Sequence, residues 1–284
     1  MSSIISIKKL SKEYQQPDGQ PLVVLRDLEC QISSNSFTSI IGNSGCGKST
    51  FLNILGLLDV PTRFEELVIA GSNINDLSLE ERTLFRGKNI GFIFQFHQLL
   101  PEFTALQNVI LPMRLTQNES FDYKERAMHL LESVFTTEEM NNKVYLRKQS
   151  QLSGGQCQRV AIARSLANDP SLVLADEPTG SLDEGSAEKV LDILLELPNR
   201  GKTVLMITHQ LHLAYQADVV YRIENGQLHQ QDKSLSEENL KAFCPACNDE
   251  TALVFENLNS TPILRCPQCR GGWLSEKKLH TFYQ

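Results

Sequence analysis

The sequence lacks any long hydrophobic run, and its apolar stretches are all shorter than the roughly 18 residues that a membrane-spanning helix needs. The N-terminal residues also lack a basic segment followed by an apolar one, so we expect no secretory signal peptide. These absences predict a cytoplasmic protein that reaches a membrane only through a partner.

An excess of basic residues is also missing. The chain of 284 residues has 27 Lys and Arg against 34 Asp and Glu, a formal net charge of −7. This balance argues against a broad nucleic-acid-binding surface, and we expect no nucleic-acid partner. The length is sufficient for one large domain and a small additional module.

Cysteine is scarce in the first two thirds of the chain, where Cys30, Cys46 and Cys157 are scattered, and crowded in the tail. Two C-x₂-C pairs separated by 18 residues occur there, namely Cys244, Cys247, Cys266 and Cys269. In a reducing compartment this spacing favours a structural four-cysteine Zn²⁺ site over disulfides. The alternatives are reduced thiols without a ligand, redox-active pairs, or iron in a rubredoxin-like site.

A glycine-rich loop matches the phosphate-loop pattern G-x-x-x-x-G-K-[ST] and lies between a predicted strand, 37–41, and a predicted helix, 49–58. This context favours ATP binding by backbone N–H groups over a glycine-rich turn with a chance Lys-Ser pair. Lys48 is expected to reach the β- and γ-phosphates, and the Ser49 hydroxyl to ligate Mg²⁺. The candidate ATP-binding residues of the loop are Gly42, Asn43, Ser44, Gly45, Cys46, Gly47, Lys48, Ser49 and Thr50.

Two predicted strands, 172–176 and 203–208, end in polar residues. Asp176 suits a water-mediated Mg²⁺ ligand, and Glu177 suits a general base for an attacking water. His209 follows the second strand, at the edge where parallel sheets bind ligands. Taken alone, Asp176 and Glu177 would be interpreted as solvent-facing carboxylates and His209 as a structural residue. A helical pattern over 184–197 separates the strands, and this alternation predicts an α/β fold with a parallel sheet flanked by helices.

The ordered set of these motifs resembles the nucleotide-binding subunits of ATP-binding-cassette (ABC) transporters over roughly residues 4–230. The set consists of the phosphate loop, Gln95, the signature Leu-Ser-Gly-Gly-Gln at 152–156, Asp176-Glu177, Ser181-Leu182-Asp183 and His209. The resemblance implies a P-loop NTPase fold with a RecA-like core, an antiparallel β subdomain and a helical subdomain. The implied reaction is ATP hydrolysis.

The same resemblance assigns further roles. Gln95 would contact Mg²⁺ and the attacking water and transmit the nucleotide state to a membrane partner, and His209 would contact the γ-phosphate. Tyr14 lies where an aromatic ring stacks on adenine, although it reads equally as a core residue. Asp183 would lie at a dimer interface. The signature residues would bind the ATP of a second copy, so that a homodimer encloses two ATP molecules; these residues are Ser153, Gly154, Gly155 and Gln156.

The segment 91–109 resembles the branch that contains lipoprotein-releasing (LolD), macrolide-exporting (MacB) and cell-division (FtsE) ATPases. That branch implies a membrane permease with a periplasmic domain and a peripheral position on the cytoplasmic face of the inner membrane. A regulatory or cell-division ATPase whose tail recruits a protein is the alternative; a nucleic-acid-associated ATPase is a third reading. The signature continues Gln-Cys-Gln-Arg at 156–159, where Glu-Arg-Gln-Arg is usual.

The tail around Cys266-Pro267-Gln268-Cys269 resembles small zinc ribbons of the transcription-factor-IIB type, for which we expect a protein-docking or stabilising role. The polar residues 228–242 read as a linker or short helix. We place the domains at 1–230, the linker at 231–242 and the zinc ribbon at 243–284.

Overall fold

The computed structural model describes residues 3–17, 19–116, 122–231, 254–258, 261–265 and 272–273. By the density of its internal packing the chain separates into two compact units, Met1–Gln231 and Asp232–Gln284. Among the described residues, every helix is too short or too polar to cross a bilayer.

Strands of the first unit form two sheets. In chain order they are β1 (Ser3–Gln15), β2 (Pro21–Ser33), β3 (Phe37–Ile41), β4 (Glu66–Ile69), β5 (Ser72–Asn73), β6 (Ile90–Ile93), β7 (Leu172–Asp176), β8 (Thr203–Ile207), β9 (Val219–Glu224) and β10 (Gln227–Gln231). One sheet is antiparallel with the order β2-β1-β4-β5. The other has the order β10-β9-β3-β8-β7-β6 and is parallel except for the edge strand β10. The predicted α/β class is confirmed.

Helices of the first unit follow the glycine-rich loop and connect the strands. They are α1 (Lys48–Leu55), α2 (Leu79–Asn89), α3 (Ala105–Thr116), α4 (Tyr123–Glu132), α5 (Thr137–Asn141), α6 (Gly154–Ser165), α7 (Glu184–Glu196) and α8 (Leu211–Ala214). Single 3₁₀ turns occur at Ile74–Asp76, Val144–Leu146, Gln149–Gln151 and Pro198–Arg200.

The core of this unit lies on both faces of the parallel sheet. Every residue of β3 and β8 is buried, including the polar Thr38, Ser39 and Thr203, as expected of parallel strands that are covered on both faces. Along β8, Val204 and Met206 join one core cluster and Leu205 joins the other. Each such side chain contributes about 1.5–3 kcal/mol when fully buried. The sheet therefore holds its carboxyl-terminal edge, where the candidate site lies, in a fixed register.

Two elements differ from the sequence prediction. Helix α1 ends at Leu55 and not at 58, because Leu57 takes the left-handed conformation (φ 55°) and Gly56 lies against the Phe92 ring, where a Cβ would come within 1.8 Å of a ring carbon. Residues 228–231 continue strand β10, in which Leu228 pairs with Ile223, so the polar segment does not begin as a linker. An edge strand tolerates this polarity because one of its sides faces solvent.

The second unit contains a small antiparallel sheet. Its strands are β11 (Val254–Leu258), β12 (Thr261–Arg265) and β13 (Gly272–Trp273), in that order across the sheet. The four cysteines predicted to bind zinc lie outside the described residues, as does the predicted linker beyond Gln231.

Candidate functional site

The glycine-rich loop between β3 and α1 has a backbone that only glycine adopts readily. Gly42 and Gly47 have φ values of 155° and 103°. A Cβ on Gly42 would lie 2.7 Å from the Ile223 carbonyl oxygen, and one on Gly47 would lie 2.8 Å from Leu25 Cδ2. Both the conformation and the close packing therefore require glycine. Gly47 also precedes the first residue of α1, so the loop ends at the positive end of a helix dipole.

Lys48 is buried, and its ammonium is hydrogen-bonded to the backbone of the loop. Lys48 Nζ donates to the carbonyl oxygens of Gly42 at 2.7 Å and Asn43 at 2.9 Å. Neutral carbonyls are weaker partners for an ammonium than a phosphate would be. The loop thus holds a positive charge and a row of N–H groups in a form suited to a bound phosphate chain.

Asp176, the last residue of β7, accepts a hydrogen bond from the Ser49 side chain. Burial raises the pKa of the Asp176 carboxyl, the neighbouring Glu177 adds to the rise, and Ser49 and Lys48 oppose it. A carboxylate and a hydroxyl in contact are hard oxygen ligands of the kind that Mg²⁺ prefers. A cation would also relieve the cost of a partly buried negative charge, so these residues fit Mg²⁺.

Glu177 and His209 meet at the edge of the sheet. Glu177 has a φ of 45°, and its N–H donates to the Ile207 carbonyl, which turns the side chain away from β7. His209 Nδ1 lies 2.6 Å from Glu177 Oε2. This distance is that of a hydrogen bond, and an ionised carboxylate can only be its acceptor. Two residues 32 positions apart in the chain thus form one pair.

Gln95 lies near the same carboxylate. A Cβ built on Gly180 would lie 3.2 Å from both Gln95 Nε2 and Glu177 Oε2, so the glycine leaves the space between them open. The Ser181 hydroxyl donates to the Gln95 carbonyl oxygen at 3.2 Å, which ties the loop after β7 to the loop after β6. The structure therefore brings Gln95, Glu177 and His209 together.

A cleft of about 490 Å³ runs along this edge. It is lined by Tyr14, Leu22, Val24, Ser44, Gly45, Gly47, Lys48, Ser49, Thr50, Glu177 and His209. The lining combines the phosphate loop and the Glu177–His209 pair with the Tyr14 ring and two aliphatic side chains. A ligand that carries both an anionic group and a flat apolar group would complement it.

Tyr14 is held by two residues that sequence reasoning missed. Its hydroxyl donates to Asp59 Oδ2 at 2.7 Å, and Lys12 Nζ lies 2.7 Å from Asp59 Oδ1 and 4.7 Å from the centroid of the Tyr14 ring. Burial and the bond to Asp59 raise the pKa of the Tyr14 hydroxyl. Tyr14 is 40% exposed and lines the cleft, so it is not a core residue. The contacts of Tyr14 and Lys12 with Asp59 join positions 45 and 47 apart, and no spacing pattern signals them.

The signature residues lie at the start of α6. Ser153 caps this helix: the Gln156 N–H donates to Ser153 Oγ at 3.2 Å, and the Ser153 N–H donates to Gln156 Oε1 at 3.1 Å. Gly155 packs against α7, where a Cβ would lie 2.7 Å from Ser186 Oγ. Asp183 caps α7 by accepting from the Ser186 N–H at 3.0 Å. The signature and Asp183 therefore share one region.

That region is separate from the cleft. Within the part of the chain that the structure describes, no residue of 153–156 and not Asp183 lines the cleft of Tyr14 and Lys48. The predicted site residues thus fall into two groups, one that lines this cleft or lies next to its lining residues and one at the capped starts of α6 and α7.

Comparison with known families gives a match in each of two parts of the chain. The profile of the family described as ABC transporter matches residues 25–180. The profile described as transcription factor zinc-finger matches residues 243–282.

Individual relatives agree. The chain is 40% identical over 227 residues to the lipoprotein-releasing system ATP-binding protein LolD of Pseudomonas syringae pv. tomato, covering 80% of this chain and 97% of that protein. It is 41% identical over 225 residues to the uncharacterized ABC transporter ATP-binding protein MJ1508 of Methanocaldococcus jannaschii, covering 79% and 97%. Among solved structures, the post-hydrolysis dimer of the ATP-binding cassette MJ0796 with ADP and Pi matches with a TM-score of 0.73 and 37% identity, covering 81% of this chain and 98% of that one.

Proposed function

This chain belongs to the ABC transporter family of ATP-binding proteins, and from that premise we propose that it is the ATP-hydrolysing subunit of a transporter of the lipoprotein-releasing type. It is an ABC ATPase. The observation that carries the proposal is that the phosphate loop and the Glu177–His209 pair line one cleft, with Asp176 in contact with Ser49 of the same loop. The LolD proteins that it resembles support the branch.

We assign the hydrolytic roles within the cleft as follows. The loop N–H groups and Lys48 hold the β- and γ-phosphates, and the adenine stacks on Tyr14. Ser49, Asp176 and Gln95 would hold Mg²⁺, which would neutralise the developing charge. Glu177 accepts a proton from water as the water oxygen bonds to the γ-phosphorus; the bond to the β-phosphate oxygen breaks and releases ADP. His209 orients Glu177 and faces the γ-phosphate.

The second group of site residues supports a homodimer. The capped start of α6 presents N–H groups that can bind an anion. Because this helix start lies outside the cleft of its own chain, the anion would come from another molecule. We propose that Ser153, Gly154, Gly155 and Gln156 bind the ATP held by a second copy, with Asp183 at the interface. The solved relative MJ0796 is described as a dimer.

An apolar groove supports a membrane partner. It has a volume of about 470 Å³, and the exposed side chains of Leu84 and Leu115 lie on it. Arg164 also lines it and donates to the carbonyl oxygens of His97 and Gln98, in the segment that follows Gln95. We propose that an amphipathic cytoplasmic helix of the permease docks here, which places the chain on the cytoplasmic face of the inner membrane. Its contact with the Gln95 segment would couple docking to the nucleotide.

Co-purification tests this function. The full chain is expected to recover an integral membrane subunit with a periplasmic domain from detergent extracts. The double variant Leu84→Glu/Leu115→Glu should lose that subunit while its ATP affinity is unchanged. Recovery of only soluble partners would instead favour the alternative, a regulatory or cell-division ATPase that recruits a protein.

For the tail we propose that Cys244, Cys247, Cys266 and Cys269 hold one structural Zn²⁺. The match to a zinc-finger profile over residues 243–282 supports this. A module of this size has too small a hydrophobic core to fold without a metal ion or another cross-link. Metal analysis should find about one Zn²⁺ per chain, absent from Cys266→Ser. Equal zinc in both chains would reject the site, and iron would indicate the rubredoxin-like alternative. We expect a protein-docking or stabilising role, and no nucleic acid.

A further inference from the structure

Gln156 is the last residue of the signature, and both its amide oxygen and its amide nitrogen make hydrogen bonds. Oε1 accepts from the Ser153 N–H at 3.1 Å, and Nε2 donates to Glu139 Oε1 at 3.1 Å. A glutamate would keep the first contact but would place a second carboxylate against Glu139. The amide is therefore the group that links the start of α6 to α5.

The Glu139 carboxylate is also held by Arg159 of α6. Arg159 donates to both carboxylate oxygens at 2.9 and 2.6 Å, and the side chains of this pair are only 11% and 21% exposed. Arg159 in turn lies over the Phe135 ring at 4.8 Å. Burial would raise the pKa of Glu139, but the donors of Arg159, Thr136 and Gln156 lower it to about 2, so the carboxylate stays ionised.

We propose that Glu139 is a positioning residue for the signature, acting through Gln156 to fix the Ser153 end of α6 for the ATP of a second copy. Gln156 and Arg159 are three residues apart on one face of α6, so a single carboxylate fixes that face. The Gln156–Glu139 contact then determines how Ser153 is presented. The inference rests on the proposed homodimer.

A double-mutant cycle tests it in the Glu177→Gln background, which is expected to retain ATP and to form stable dimers. Two affinities are measured for each full-length chain: ATP binding at concentrations where the chain is monomeric, and ATP-dependent dimerisation by sedimentation. Gln156→Glu should weaken dimerisation about tenfold with unchanged ATP binding, because two carboxylates then face each other. With Glu139→Gln also present, the penalty of Gln156→Glu should fall to roughly threefold or less.

The cycle separates the alternatives. Direct repulsion between a carboxylate at position 156 and the incoming phosphate would give the same penalty in both backgrounds and would overturn the proposal. Asp122→Ala removes the cap of α4, a helix that packs against α6; if it weakened dimerisation as much as Gln156→Glu, the effect would be structural, and the proposal would fail. If the Glu177→Gln chain itself formed no dimer with ATP, the proposed function would fail instead.

Discussion

The phosphate loop and the signature each lie at the start of a helix, but they are built in different ways. The loop is shaped by its backbone: Gly42 and Gly47 take conformations and close contacts that no other residue fits. The start of α6 is shaped by side chains, through the Ser153–Gln156 cap and the bond from Gln156 to Glu139. The loop lines a cleft with Glu177 and His209, whereas the signature lies outside it.

This difference shows which of the two regions can function without a second copy of the chain. Within one chain, the cleft brings the glycine-rich loop and the Glu177–His209 pair together, and Asp176 contacts Ser49 of that loop. The signature offers N–H donors but no base and no metal ligand. Binding of ATP should therefore depend on the first region and assembly on the second.

The largest expected effect tests the cleft. Glu177→Gln should reduce turnover by about 100-fold or more, because the amide cannot accept the proton of the attacking water. ATP affinity should be retained, and dimers should accumulate with ATP. Steady-state phosphate release and equilibrium ATP binding measure the two parts. Undiminished turnover would remove Glu177 from the proposed role.

A second change acts on the signature alone. Gly155→Ala places a Cβ against Ser186, so ATP-dependent dimerisation and turnover should fall about tenfold or more while monomer ATP affinity is unchanged. Ser186→Gly in the same chain removes the clashing atoms and should restore part of the loss. If Gly155→Ala weakened ATP binding by the monomer, the division between the two regions would be wrong.

A third change tests the role of Tyr14 in the cleft. Tyr14→Ala should raise the KM for ATP about tenfold with little change in kcat, since base stacking is worth roughly 1–3 kcal/mol. Tyr14→Phe keeps the ring but loses the bond to Asp59, and its KM should rise less. Binding of tripolyphosphate, which has no base, should be equal in all three chains. A loss of tripolyphosphate binding would show that Tyr14 acts on the loop and not on the base.

The smallest expected effect concerns stability. Burial raises the pKa of Asp176, so its charged form disfavours the folded state, and that cost sets in as pH rises through the raised pKa. Without nucleotide, Asp176→Asn should therefore raise the Tm by a few degrees at neutral pH and by less in mild acid, while it abolishes the added stabilisation by Mg²⁺ with ATP. Thermal melts across pH measure this. An unchanged or lower Tm at neutral pH would show that burial of the charged Asp176 carboxylate does not destabilise the folded state.

Much of the cleft could be predicted from the sequence, because its chemistry is local. A glycine pattern between a strand and a helix specifies the loop, and the apolar runs before Asp176 and His209 place both at one edge of a parallel sheet. The positions where the prediction failed are those at which a tertiary contact overrides a local pattern. Helix α1 stops at Gly56 against Phe92, and residues 228–231 pair with β9.

The sequence by itself determined the family, the α/β class and the order of the motifs, since each of these depends on neighbouring residues and their spacing. Only the tertiary structure decided which distant residues meet: His209 with Glu177, Asp59 with Tyr14 and Glu139 with Gln156. These pairs are 17 to 45 positions apart and follow no period. A contact between side chains on separate elements is set by how those elements pack, and packing is a property of the whole core.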